Sequence, residues 1–196
     1  MFFLSPKKST APEGGERFAS AAEIEFAFGA QQDFLFWLAL MITGNDEVAQ
    51  KCIIGASGLS QQGAGVFRDW LDEWARSATV RFAIGEARDQ IAEAVHFYDG
   101  LSCPHGGHPT LSPEEVCALR TTDPQILLAG LDPLARAVLV LHGIRKAAIQ
   151  DCALNLDVSR GTILAGYCRA TEGLLQPPAE LSTAQVFPFE SGIPSR

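Results

Sequence analysis

The segment from Leu131 to Ala170 restricts the chain more than any other stretch, because it holds three apolar patterns of helical period separated by short polar breaks. Asp132-Pro133 supplies a capping side chain followed by proline at the first helical position. Leu134, Val138 and Leu141 then share one face. Gly143 permits a turn. A second helix is predicted over about Ala147 to Leu154, with Cys152 inward and the small Ala153 allowing two helices to cross closely. Asn155-Leu-Asp-Val158 is a short connection in which Leu156 and Val158 plug the core. Ser159 is a good N-cap for a third helix that turns Ile163 and Tyr167 inward. Two helices joined in this way make a helix-turn-helix, in which the second enters the DNA major groove by its N-terminal residues. Those residues are Ser159, Arg160 and Thr162; Arg145, Lys146 and Arg169 flank them as phosphate contacts. A plain three-helix bundle that binds nothing fits the same periodicity.

The rest of the chain reads as helical too. Ile24, Phe28, Gln31, Phe34, Leu35, Leu38 and Ile42 recur mostly at spacings of three and four, predicting one helix from about Ala21. Gly44 stops it, and Asn45 or Asp46 caps the next, through Val48 to about Ala56. Ser57 to Gly65 is rich in Gly, Ser and Gln and predicts a loop. Phe67 to about Tyr98 predicts a long helical stretch with Phe67, Trp70, Leu71, Trp74 and Ala78 as an apolar stripe; tryptophans at that spacing, and Trp37, are read as core. Cys103-Pro-His-Gly-Gly-His-Pro109 is part of a linker. Ser112-Pro-Glu-Glu115 is a capping box, and Asp123-Pro124 repeats the cap-plus-proline signal. Strand alternation and internal repeats are absent. The expected class is all-α: two small helical domains at 21–99 and 112–175 joined by a linker at 100–111, the second a helix-turn-helix bundle, with loose tails at 1–20 and 176–196.

Charge argues against casual nucleic-acid binding. The 196 residues carry a formal net charge of −8, whereas phosphate neutralisation by Lys and Arg supplies most non-specific affinity. Residues 131–170 are the exception, with five basic and three acidic side chains, net +2. Five cysteines, widely spaced, are no disulfide framework; reduced thiols in a cytoplasmic protein are expected. No signal-peptide pattern precedes Pro6, and the longest apolar run, Phe34 to Ile42, falls well short of the roughly 20 residues that span a bilayer. No membrane partner is expected.

The helix-turn-helix segment resembles region 4 of bacterial sigma factors, especially the extracytoplasmic-function group. Leu131, Pro133, Arg136, Val138, Leu139 and Leu141 match that family's first helix without gaps. Ala153, Leu156, Val158-Ser-Arg-Gly-Thr162, Arg169 and Ala170 match its helix-turn-helix. In the N-terminal half, Leu38-Ala-Leu-Met-Ile-Thr-Gly-Asn45 with Ala49 is similar to the first part of region 2, and Phe67-Arg-Asp-Trp-Leu71 with Ala75-Arg76 to its later helix. The resemblance implies a subunit that joins core RNA polymerase and recognises promoter DNA. Asp46, Glu47 and Gln50 would contact polymerase, region 4 would contact the upstream promoter element, and an anti-sigma protein would be a further partner.

The chain also departs from that pattern. Lys51-Cys-Ile-Ile-Gly-Ala56 lacks the expected acidic residues. Ser77 replaces an Asn, Ile84-Gly85 stand where arginines are usual, and Leu164 and Gly166 occupy positions that often carry Lys or Arg. These departures motivate an alternative: a sigma-like protein that has given up promoter binding and acts through protein contacts, as a decoy or regulator of an anti-sigma factor.

Other constellations carry less. Cys103, His105, His108 and Cys117 are potential zinc ligands within fifteen residues, but their spacing matches no paired pattern, and a linker is the expected reading. Phe187 and Phe189 stand in a Pro-containing tail. His96 and His142 are isolated, and His142 reads as a surface residue. Phosphate-binding loops, nucleophile elbows and cofactor motifs are absent, so no enzyme and no cofactor are expected.

Overall fold

The computed structural model describes residues 18–59, 65–98, 100–101, 103, 111–121, 123 and 130–175. Among them the architecture is all-α, with a single isolated bridge between Phe18 and Phe67. The chain divides into two compact units, Met1–Glu93 and Ala94–Arg196. Residues 1–17 and 176–196, the centre of the Ser57–Gly65 loop, His105, His108 and Pro124 lie outside the described residues; residues 18–20, expected within the loose N-terminal tail, instead pair with Val66 and Phe67 and cap the first helix.

The first unit is built on four helices: α1 (Ala21–Ala30), α2 (Gln32–Thr43), α3 (Asp46–Gly58) and α4 (Leu71–Glu86). Ser20 opens α1 through a capping box with Glu23, a Ser-x-x-Glu signal that is present in the sequence. The single helix predicted from Ala21 is in fact two, bent by 71° at Gln31. Gln31 is held at the bend from α4: its amide donates to Asp72 Oδ1 at 2.9 Å and its oxygen accepts from Arg76 Nε at 2.7 Å. Gly44, at φ 68, ends α2 in the left-handed conformation that glycine adopts without strain. Asn45 then caps α3 by accepting from the Val48 amide at 3.0 Å.

α2 is the centre of this unit. Residues Trp37 through Thr43 are all buried, because α3 and α4 both pack on it. A helix buried on every side loses its amphipathic period. The stripe read across Phe67 to Ala78 is only partly core. Leu71, Ala75 and Ala78 are buried, but Trp70 is 70% exposed and Phe67 48%. The reason is local: Arg68–Trp70 forms a 3-10 turn before α4, which takes both rings out of the helical phase. Phe67 stacks on Phe18 instead. The long helix expected up to Tyr98 breaks again at Ala87, where α5 (Arg88–Val95) begins, followed by a 3-10 turn at His96–Tyr98.

In the second unit Ser112 and Glu115 form the predicted capping box at the start of α6 (Pro113–Thr121). Asp132 caps α7 (Pro133–Val138) by accepting from the Ala135 amide at 3.0 Å. Such a cap stabilises a helix by about 1 kcal/mol relative to alanine. α7 runs directly into a wide, π-helical turn at Leu139–Ile144. Gly143 lies inside that turn and is not the break that its sequence suggested. A side chain there would meet Leu111, Leu139 and Tyr167 at 3.1–3.2 Å, so glycine serves close packing. The chain reverses at Lys146 instead, with φ 57. α8 (Ile149–Leu156) and α9 (Arg160–Leu175) complete the unit. α9 packs on α7, on α8 and on the π-turn, burying Leu134, Val138, Leu139, Cys152, Ile163 and Tyr167.

Cys103 and Cys168 are joined by a disulfide across 65 residues of sequence. This corrects the expectation of reduced thiols for that pair, which no spacing argument could have matched; Cys52, Cys117 and Cys152 remain thiols. Burial pushes the Cys52 and Cys152 thiols up to about 11. Among the described residues no single helix is long and apolar enough to cross a membrane.

Candidate nucleic-acid interface

α8 and α9 are consecutive helices joined by a three-residue connection, residues 157–159. Asp157 closes α8 in the left-handed conformation at φ 54, which reverses the chain within two residues. Ser159 Oγ then accepts from the Thr162 amide at 3.0 Å and lies 2.8 Å from Thr162 Oγ1. Ser159 thus satisfies one of the open N–H groups at the start of α9, and the Thr162 hydroxyl steadies the cap. Ala153, Leu156 and Ile163 are buried between the helices, so the motif is held by small and aliphatic side chains, as the spacing predicts.

The first turn of α9 faces outward. Ser159, Arg160 and Gly161 are exposed and Thr162 is half-buried. An exposed N-terminal turn carries unpaired backbone N–H groups and the positive end of the helix dipole, both suited to a phosphate. Arg160 projects from this turn into solvent.

The flanking residues are more constrained than their sequence suggested. Lys146 donates from Nζ to the Leu111 carbonyl at 2.9 Å. Arg169 Nε pairs with Asp132 Oδ2 at 3.0 Å. That carboxylate oxygen also accepts from the Tyr98 hydroxyl at 2.5 Å. Arg145 is half-buried at the end of the π-turn. Arg136 is buried and donates to the Leu131 carbonyl at 3.3 Å. Its burial lowers its proton affinity while Asp132 raises it, so it serves the interior. His142, read as a surface residue, is half-buried: its ring stands edge-on to Tyr167, and Nδ1 lies 2.8 Å from the Ala147 carbonyl. Gly166 is also buried, facing Leu134 and Val138.

The residues singled out for polymerase contact lie together on α3. Asp46, Glu47 and Gln50 are exposed, and Ile54, one turn further on, is 71% exposed. Positions 47, 50 and 54 share one face of a helix. Sequence reasoning missed the Tyr98–Asp132–Arg169 cluster, and no local signal would have found it. Cys103 is engaged with Cys168, so its sulfur does not serve as the zinc ligand considered above. Among the described residues no group of three or more His, Cys, Asp and Glu side chains could hold a metal ion.

No protein-family model matches the chain, and neither a curated protein nor a solved structure does.

Proposed function

We propose that the protein is a divergent sigma-like factor that binds core RNA polymerase and promoter DNA through a helix-turn-helix. The observation that carries this reading is the α8–α9 pair, with a Ser159-capped, outward-facing first turn that presents Arg160. The acidic face of α3, with Asp46, Glu47 and Gln50, supports a polymerase contact in the first unit. Neither function requires a cofactor. Gel filtration of the full chain with core RNA polymerase tests the first half: co-elution supports it, and separate elution refutes it. For the second half, Arg160→Ala should weaken binding to a promoter duplex. Removing one phosphate partner should also make the slope of log K against log salt shallower by about 0.9. An unchanged affinity removes Arg160 from the interface.

A second reading is favoured by Arg169, Lys146 and Gly166. Two of the expected basic residues are already engaged inside the unit, and the third position faces the core. A protein with that arrangement keeps the shape of a DNA reader while relying on protein contacts, for instance with an anti-sigma factor. Binding to polymerase or to an anti-sigma protein without measurable affinity for any duplex would favour this reading.

A further inference from the structure

The disulfide fastens a peripheral piece of chain and leaves the core to other forces. The interior of the second unit is closed by Leu134, Val138, Leu139, Val140, Ile163 and Tyr167, all under 2% exposed, and none of them needs the sulfur bridge to meet the others. What the bridge holds is Cys103, at the far end of a segment that begins with the His96–Tyr98 turn. Tyr98 is 3% exposed, and its hydroxyl donates to Asp132. Leu101, between the two anchors, donates its amide to the Tyr98 carbonyl at 3.1 Å and is itself 56% exposed. The segment is therefore tied at one end by a buried ring and at the other by a covalent bond to α9. The two sulfurs also differ in access. Cys168 is 3% exposed, while Cys103 is half-buried, so an incoming thiolate has one open line of attack.

We propose that Cys103–Cys168 is a redox modification site, opened by a dithiol reductant, and that opening it releases the His96–Tyr98 turn from α9. The chemistry is ordinary thiol–disulfide exchange. A thiolate of the reductant attacks Cys103 Sγ, and the S–S bond breaks. Its electron pair leaves on Cys168 Sγ, which takes up a proton. The second thiolate of the reductant then attacks the mixed disulfide, forms the reductant's own disulfide and expels Cys103, which is protonated in turn. Two electrons and two protons pass to the protein. The Tyr98 ring then holds the segment without covalent help, and each time it lifts, the surface of α9 beneath it and Asp132 Oδ2 are uncovered. DNA binding plays no part in this release.

The test uses the full chain equilibrated in dithiothreitol buffers of graded potential, without denaturant. Alkylation with peptide mapping reads the thiols, and hydrogen exchange reads the backbone. Cys103 and Cys168 should become alkylatable together in one two-electron transition. Amides of the peptide covering Tyr98 and Leu101 should then exchange at least tenfold faster, while those of Leu134–Val140 and Ile163–Tyr167 stay protected. Cys103→Ser, at a half-buried position, should show the same fast exchange in oxidising buffer. A bridge that resists the dithiol until the core amides also exchange would overturn the proposal. So would reduction, or Cys103→Ser, that leaves exchange at Tyr98 and Leu101 unchanged.

Discussion

Gly166 offers the sharpest test of how α9 seats on α7. It stands in the middle of a sixteen-residue helix, where glycine is about 1 kcal/mol less favourable than alanine. A Cβ added there would find Val138 Cγ2 at 3.5 Å and Leu134 carbons at 3.7 and 3.8 Å, which is ordinary van der Waals contact. Gly166→Ala should therefore gain the helix-propensity difference and part of the roughly 0.8 kcal/mol that a buried methyl contributes. The expected stabilisation is about 1–2 kcal/mol, and for a unit of this size each kcal/mol moves the melting midpoint by roughly 4–8 °C. Gly143→Ala is the matched control. Its Cβ would stand 3.1–3.2 Å from three side chains, and overpacking of that kind costs about 1–3 kcal/mol. The assay is urea denaturation followed by near-ultraviolet ellipticity of Tyr98 and Tyr167. These are the only tyrosines, and all three tryptophans lie in the first unit, so tryptophan fluorescence serves as the internal reference. If Gly166→Ala is no more stable than the parent, or Gly143→Ala is more stable, α9 does not seat on α7 in this way.

Two further outcomes follow from hydrogen bonds. Tyr98→Phe should lose about 1.5–3 kcal/mol by removing a hydroxyl that donates to a carboxylate, measured by the same denaturation; no loss would mean that Asp132 finds an equal partner elsewhere. Glu23 accepts from the Ser20 backbone and side chain and from Arg68, which hold its carboxyl below the usual glutamate range. A depressed folded value stabilises above the unfolded pKa, and that stability is lost as pH falls through the folded one. Protection of the first amides of α1 should therefore decline as the pH falls below the ordinary glutamate range; protection that is flat down to the lowest pH would contradict the capping box.

Much of the fold could be read from local chemistry. Ser112/Glu115, Asp132-Pro133, Ser159 and the Gly44-Asn45 break are each set by residues within four positions, and each is where the sequence puts it. The failures come from forces that act over longer range. The bend at Gln31 is held by Asp72 and Arg76 from another helix. Trp70 leaves the core because a 3-10 turn shifts its phase. Cys103 and Cys168 lie 65 positions apart, beyond the reach of any local pattern. For the candidate site, the outward turn at Ser159 and Arg160 was legible from its cap. The engagement of Arg169 with Asp132 was not, because the two residues lie 37 positions apart.

Asp132 carries three duties on one carboxylate: it caps α7, receives the Tyr98 hydroxyl and pairs with Arg169. Groups sharing one partner do not contribute additively. Loss of Asp132 would leave Tyr98 and Arg169 with nothing to answer, and loss of either would alter what the other is worth. The dependence is lopsided: Asp132 keeps its cap without the other two, whereas the Tyr98 hydroxyl and Arg169 lose their shared carboxylate without it.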